Sequence, residues 1–159
     1  MKSDAYAHYY EIIPNNPNLT FIDITADWKA VELILTHCHN IETISVNIDS
    51  NFASVDFNDI DKRLLPKLWH LKLFQLFVEN FYFVLKSGFL MFKSGEVIDG
   101  LLIAFLESID TIKVTELECQ ANQFIDPVVL QIIQKLRHTL TRLEIQMWSE
   151  INSEAIDII

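Results

Sequence analysis

One apolar pattern, apolar-x-x-apolar-x-apolar, recurs six times along this 159-residue chain at intervals averaging about two dozen residues. Its cleanest copy is Leu140-Thr141-Arg142-Leu143-Glu144-Ile145, and the others are Leu19/Ile22/Ile24, Ile41/Ile44/Val46, Leu68/Leu71/Leu73, a weaker copy Ser87/Leu90/Phe92 with a polar first position, and Ile109/Ile112/Val114. Each copy ends in an alternation that suits a short strand with one buried face. Helically spaced apolar residues fill most of the intervals, so one unit is expected to run strand, turn, helix. Units of this kind bury their apolar faces by stacking on one another, which leaves few other architectures open.

Half of the residues are hydrophobic, enough for a continuous core in a chain of this length. Three Gly and four Pro are few for an all-β sandwich, with its many tight turns, and suit helices alternating with strands. The formal charge of -10 argues against a nucleic-acid backbone or an anionic membrane as partner, because both require concentrated Lys and Arg. A basic protein partner is compatible with it. Cys38 and Cys119 cannot make a disulfide framework, and no export signal is seen at the amino terminus, so a reducing cytoplasmic or nuclear location is expected. The most hydrophobic window, Phe74 to Phe92, carries Glu79, Asn80 and Lys86 and is expected to be repeat core, not a membrane span.

Residues 1–17 are expected to cap the amino-terminal end of the core with Tyr6, Tyr9 and Tyr10 before the breaker Pro14-Asn15-Asn16-Pro17-Asn18. The repeats then occupy residues 18–148. Thr25-Ala26-Asp27 supplies capping oxygens to a helix whose Val31, Ile34, Leu35 and Cys38 share a face. A polar stretch, Asp49 to Asp61, leads to a short helix expected to end at Pro66, followed by a strand at Leu68 to Leu73. The dense run Phe77 to Leu85 shows no clean period. A helix there keeps the repeat spacing regular, and a hairpin through Lys86-Ser87-Gly88 is the alternative. Ser94-Gly95-Glu96 opens a helix with Val97, Leu101, Ala104 and Phe105 on one face, ahead of a fifth strand at Ile109 to Val114. Asp126-Pro127 caps the last helix, whose inward stripe is Val129, Ile132, Ile133 and Leu136. Residues 149–159 are either a carboxy-terminal cap or the start of a further repeat.

The pieces His37-Cys38-His39-Asn40-Ile41-Glu42-Thr43-Ile44 and Cys119 to Leu130 resemble the cysteine-containing subtype of leucine-rich repeat. The match runs over roughly residues 18–148 with unequal repeat lengths, two cysteines only and little of the usual Asn after the strand. This resemblance implies an α/β solenoid of about six short parallel strands on a concave face, with helices on the convex face. Many proteins of the subtype are substrate receptors in F-box ubiquitin ligases, although no F-box is visible in this chain.

In such a sheet the residues between the apolar positions line the concave surface. They are Phe21, Asp23 and Thr25; Thr43, Ser45 and Asn47; His70, Lys72 and Phe74; Phe89, Met91 and Lys93; Thr111, Lys113 and Thr115; and Arg142, Glu144 and Gln146. The middle file, Asp23, Ser45, Lys72, Met91, Lys113 and Glu144, is polar at its ends and cationic toward its centre. The protein-binding candidates are Asp23, Ser45, His70, Lys72, Phe74, Phe89, Met91, Lys113, Arg142 and Glu144, which mix aromatic, apolar and charged groups as an interface centre does. A register slip of one residue would instead bury Phe74, Phe89 and Met91.

His37-Cys38-His39 has the wrong spacing for one ion, so no metal is expected, and Cys38 is expected to be buried. No Gly-rich phosphate loop, nucleophile elbow or dinucleotide fingerprint occurs, and neither catalysis nor a cofactor is expected. Three functions fit: a module that binds a partner protein through its concave sheet, as substrate adaptor or complex subunit; an acidic regulator of an enzyme; and a purely structural subunit.

Overall fold

In the computed structural model, which describes residues 6–48, 61–78, 81–93, 98–121 and 127–147, the alternating segments lie side by side in one seven-stranded sheet. The strands are β1 (Phe21–Ala26), β2 (Thr43–Ile48), β3 (Leu73–Val78), β4 (Phe81–Lys86), β5 (Phe89–Lys93), β6 (Glu116–Ala121) and β7 (Arg142–Met147), ordered in space as in sequence. The helices are α1 (Ala7–Ile12), α2 (Trp28–His37), α3 (Leu65–Trp69), α4 (Ile98–Ser108) and α5 (Pro127–Leu136), with a 3-10 turn at Ile109–Thr111. The fold is α/β.

The sheet is mixed, which corrects the expectation of parallel strands throughout. β1, β2 and β3 run parallel, as do β5, β6 and β7, but β4 is antiparallel to both of its neighbours. A parallel partner requires a crossover of a dozen or more residues, and the chain between β3 and β5 is too short to provide one. The expected helix at Phe77 to Leu85 is therefore the end of β3 followed by β4. Ser87 at φ 37° and Gly88 at φ 85° make the two-residue turn into β5, in the positive-φ conformation that matches the twist of a hairpin.

Two further strands lie later in the chain than the pattern placed them. Leu68 and Trp69 belong to α3, because Pro66 sits in its first turn, where proline starts a helix and does not end one. The strand that follows is Leu73–Val78, not 68–73. The helical period of Leu101, Leu102 and Phe105 continues to Ile109, all buried, so the strand begins at Glu116, not at Ile109. In both places the pattern holds with later residues: Leu71/Phe74/Leu76 and Val114/Leu117/Cys119.

A repeated hydrogen-bond arrangement marks the repeat. At all four parallel steps, the carbonyl one residue before a strand accepts two successive N–H groups at the start of the next. Thr20 accepts from Glu42 and Thr43, Glu42 from Lys72 and Leu73, Gly88 from Thr115 and Glu116, and Thr115 from Thr141 and Arg142. Register is thereby set identically each time, and two apolar files run across the sheet: Ile22, Ile44, Phe74, Leu85, Leu90, Leu117, Leu143, and Ile24, Val46, Leu76, Phe83, Phe92, Cys119, Ile145. Between the two outermost strands every member of both files is at most 3% exposed.

The helices pack on this face and on no other among the described residues, since their buried side chains and the two files form one cluster. Asp27 caps α2 by accepting from the Ala30 N–H at 3.1 Å, and Val31, Ile34, Leu35 and Cys38 are buried as the period predicts. Val129, Ile132, Ile133 and Leu136 of α5 are buried in the same way. At the centre, the Trp69 ring lies 5.3 Å from Phe105, 5.8 Å from Phe83 and 6.4 Å from Phe74, in tilted and edge-on contacts. Tyr6, Tyr9 and Tyr10 pack against the core beside the buried Ile13, and the Tyr10 hydroxyl donates to Asp27, which ties α1 to the cap of α2. The expected capping groups at 94–96 and at Asp126, the polar stretch through 49–60 and the segment 149–159 lie outside the described residues.

Candidate functional site

Because strand side chains alternate, packing the described helices on one face leaves the other without a helix among the described residues. Register arranges this open face in three rows. The first, at the strand entries, is Phe21, Thr43, Leu73, Lys86, Phe89, Glu116, Arg142. The middle row is Asp23, Ser45, Gln75, Val84, Met91, Glu118, Glu144. The third holds Thr25, Asn47, Phe77 and Tyr82 on one side and Lys93, Gln120 and Gln146 on the other.

Read across the strands, the face has three zones. β1 and β2 present small polar groups, apart from Phe21, which is 59% exposed. β3, β4 and β5 present a band of Leu73, Phe77, Tyr82, Val84, Phe89 and Met91 edged by Lys86 and Lys93. Within it Phe77 is 38% exposed, and Val84, although on the face opposite the described helices, is buried. β6 and β7 present carboxylates and amides.

Of the residues expected at the site, Asp23, Ser45, Met91 and Glu144 share the middle row, while Phe89 and Arg142 share the first. Phe74 is not on this face: it is fully buried in the core file. His70 caps the end of α3, and Lys72 and Lys113 stand in the loops before β3 and β6, so all three sit at the rim of the sheet. Lys72 is paired there with Glu42 at 2.6 Å. The central file therefore carries Gln75 and Glu118 where Lys72 and Lys113 were expected, and its centre is apolar, not cationic. Likewise Thr111 and Thr115 precede β6, whose open-face residues are Glu116, Glu118 and Gln120.

The pattern also missed Leu73, Phe77, Tyr82 and Val84. The period-two run Phe81, Phe83, Leu85 was the available signal, but apolar residues at 77 and 84 on the opposite face masked it.

The polar zone is cross-braced. Arg142 approaches Glu116 at 3.7 Å and Glu144 at 3.1 Å, Gln146 donates to Glu144 at 2.9 Å, and Gln120 donates to Gln146 at 3.1 Å. The Gln146 hydrogen bond, and after it the Arg142 guanidinium, hold the Glu144 carboxyl below its ordinary range. Partial burial, followed by the charge of Glu118, pushes the Tyr82 hydroxyl up. Beneath this face, burial pushes the Cys119 thiol up to about 12, so it stays protonated at neutral pH. Cys38 is likewise raised by burial, with its thiol toward the carbonyls of Ile13 and Asn16. Among the described residues no group of three His, Cys, Asp or Glu side chains could hold a metal ion.

A scan of protein-family models, a search of curated proteins and a search of solved structures find no match to this chain. Among the described residues no helix is long and apolar enough to cross a membrane, and the hydrophobic window from Phe74 to Phe92 supplies strands β3, β4 and β5.

Proposed function

We propose that this chain is a protein-interaction module that engages a partner protein through the open face of its sheet, as an adaptor or as a subunit of a larger assembly. The observation that carries this reading is the apolar band on β3 to β5, set on a face that no described helix covers and flanked by charged side chains. Aromatic and Met side chains at the centre of a patch with a polar rim are what a protein interface is made from. The four identical strand entries favour a degenerate leucine-rich-repeat ancestry interrupted by the β4 hairpin, in which the open face corresponds to the concave one.

The test is affinity purification from the native source with wild-type chain and with Phe77→Asp/Met91→Asp, after circular dichroism has verified that the variant keeps its fold. Loss of the same specific partner from the variant is expected. Retention of every partner would overturn the reading.

The formal charge of -10 favours a second form of it, an acidic regulator that covers a basic cleft of an enzyme. Association of that kind weakens steeply as salt rises, whereas binding dominated by the apolar band does not.

A further inference from the structure

On β6 and β7 the open-face polar side chains satisfy one another, with one exception. Arg142, Glu116, Glu144, Gln146 and Gln120 are linked by contacts of 2.9–3.7 Å. The Glu118 side chain stands among them and, among the described residues, makes no hydrogen bond or ion pair, although its backbone pairs in the ladder between β5 and β7. It lies directly opposite Glu144 in register, a like-charge placement that costs stability, and opposite Met91 on its other side. An unanswered carboxylate thus marks the boundary where the apolar band meets the acidic zone.

From this we infer that the partner presents an isolated arginine, flanked by aromatic or aliphatic residues, to Glu118. The inference rests on the open-face reading above and specifies its ligand. A guanidinium arriving at Glu118 can pair with its carboxylate through two parallel N–H···O bonds, a fixed geometry that an ammonium, as a point charge, does not impose. Apolar neighbours of that arginine would then lie over Met91, Tyr82 and Phe77. Lys86 and Lys93 edge the band in the first and third rows, on either side of the middle row that carries Glu118. A dense polybasic tract would collide with them, so the arginine has to be single. A second copy of this chain is disfavoured as occupant, since two chains of formal charge -10 repel one another.

The test selects phage-displayed random short peptides on the whole chain and measures the enriched sequences against Glu118→Gln, Phe77→Asp and the control Glu107→Gln on α4. Enriched peptides are expected to carry one Arg beside aromatic or aliphatic residues. They should lose about tenfold or more in affinity for Glu118→Gln and keep their affinity for Glu107→Gln. Peptides that lack a cation, or that respond to Phe77→Asp and not to Glu118→Gln, would overturn the arginine assignment and leave the open face standing. Peptides indifferent to both variants, or no enrichment at all, would overturn both.

Discussion

Phe74 and Phe77 stand three residues apart on β3 and face opposite ways, one into the aromatic cluster with Trp69 and Phe83, the other into the open band. Truncation should separate them. Phe74→Ala leaves a cavity in a close-packed core and is expected to cost about 3–5 kcal/mol, and Phe77→Ala under about 1 kcal/mol, both measured by urea denaturation. Cys119 gives a pH prediction. Its thiol titrates near 9.0 in the unfolded chain and at about 12 in the folded one, so the unfolded state loses the proton first as pH rises. Stability at this site is therefore complete below pH 9 and falls between pH 9 and 12, by up to about 1.4 kcal/mol per pH unit. The decline should be shallower in Cys119→Val when the two proteins are unfolded by denaturant across that range.

At the scale of elements, two short signals carry much of the local structure. Gly88 provides the φ of 85° that the hairpin requires, and a Cβ there would lie 3.2 Å from Thr115 Oγ1, so Gly88→Ala is expected to cost at least about 1–2 kcal/mol in thermal denaturation. Asp27 caps α2 and receives the Tyr10 hydroxyl, so Asp27→Ala should cost about 1 kcal/mol or more and loosen α1, read as faster amide exchange over Ala7–Ile12. These elements also delimit what could be read from sequence. Helices α2 and α5, and strands β1, β2, β5 and β7, were legible because one period dominates each and turn or cap residues bound them. Strand β3 was displaced because Pro66 fits the first turn of a helix as well as it ends one. Strand β6 was displaced because Ile109, Ile112 and Val114 satisfy the repeat pattern while Ile109 continues the apolar face of α4. Strand β4 was obscured because apolar residues occupy both of its faces, so the hairpin was readable only as an alternative. The site followed these errors: residues on β1, β2, β5 and β7 fell on the open face as the alternation placed them, whereas those assigned through β3 and β6 landed in the core or at the rim.

At the scale of the whole molecule, the described helices all pack on one side of the sheet, and the other side is divided into polar, apolar and acidic zones, the apolar one built from β3, β5 and the inserted β4. The β4 hairpin adds Tyr82 and Val84 to the band, which joins two parallel halves into one surface. Charge at the rim is peripheral to it, so Lys72→Glu combined with Lys113→Glu is expected to leave partner capture intact. The most direct measurement places a photo-crosslinking residue at Met91 on the open face, or at Gln134 on the exposed side of α5, and maps what each captures in the native source. A partner crosslinked from position 91 and lost when Phe77→Asp is added is the expected result. Capture from position 134 alone, or capture at 91 that survives Phe77→Asp in a folded chain, would contradict it.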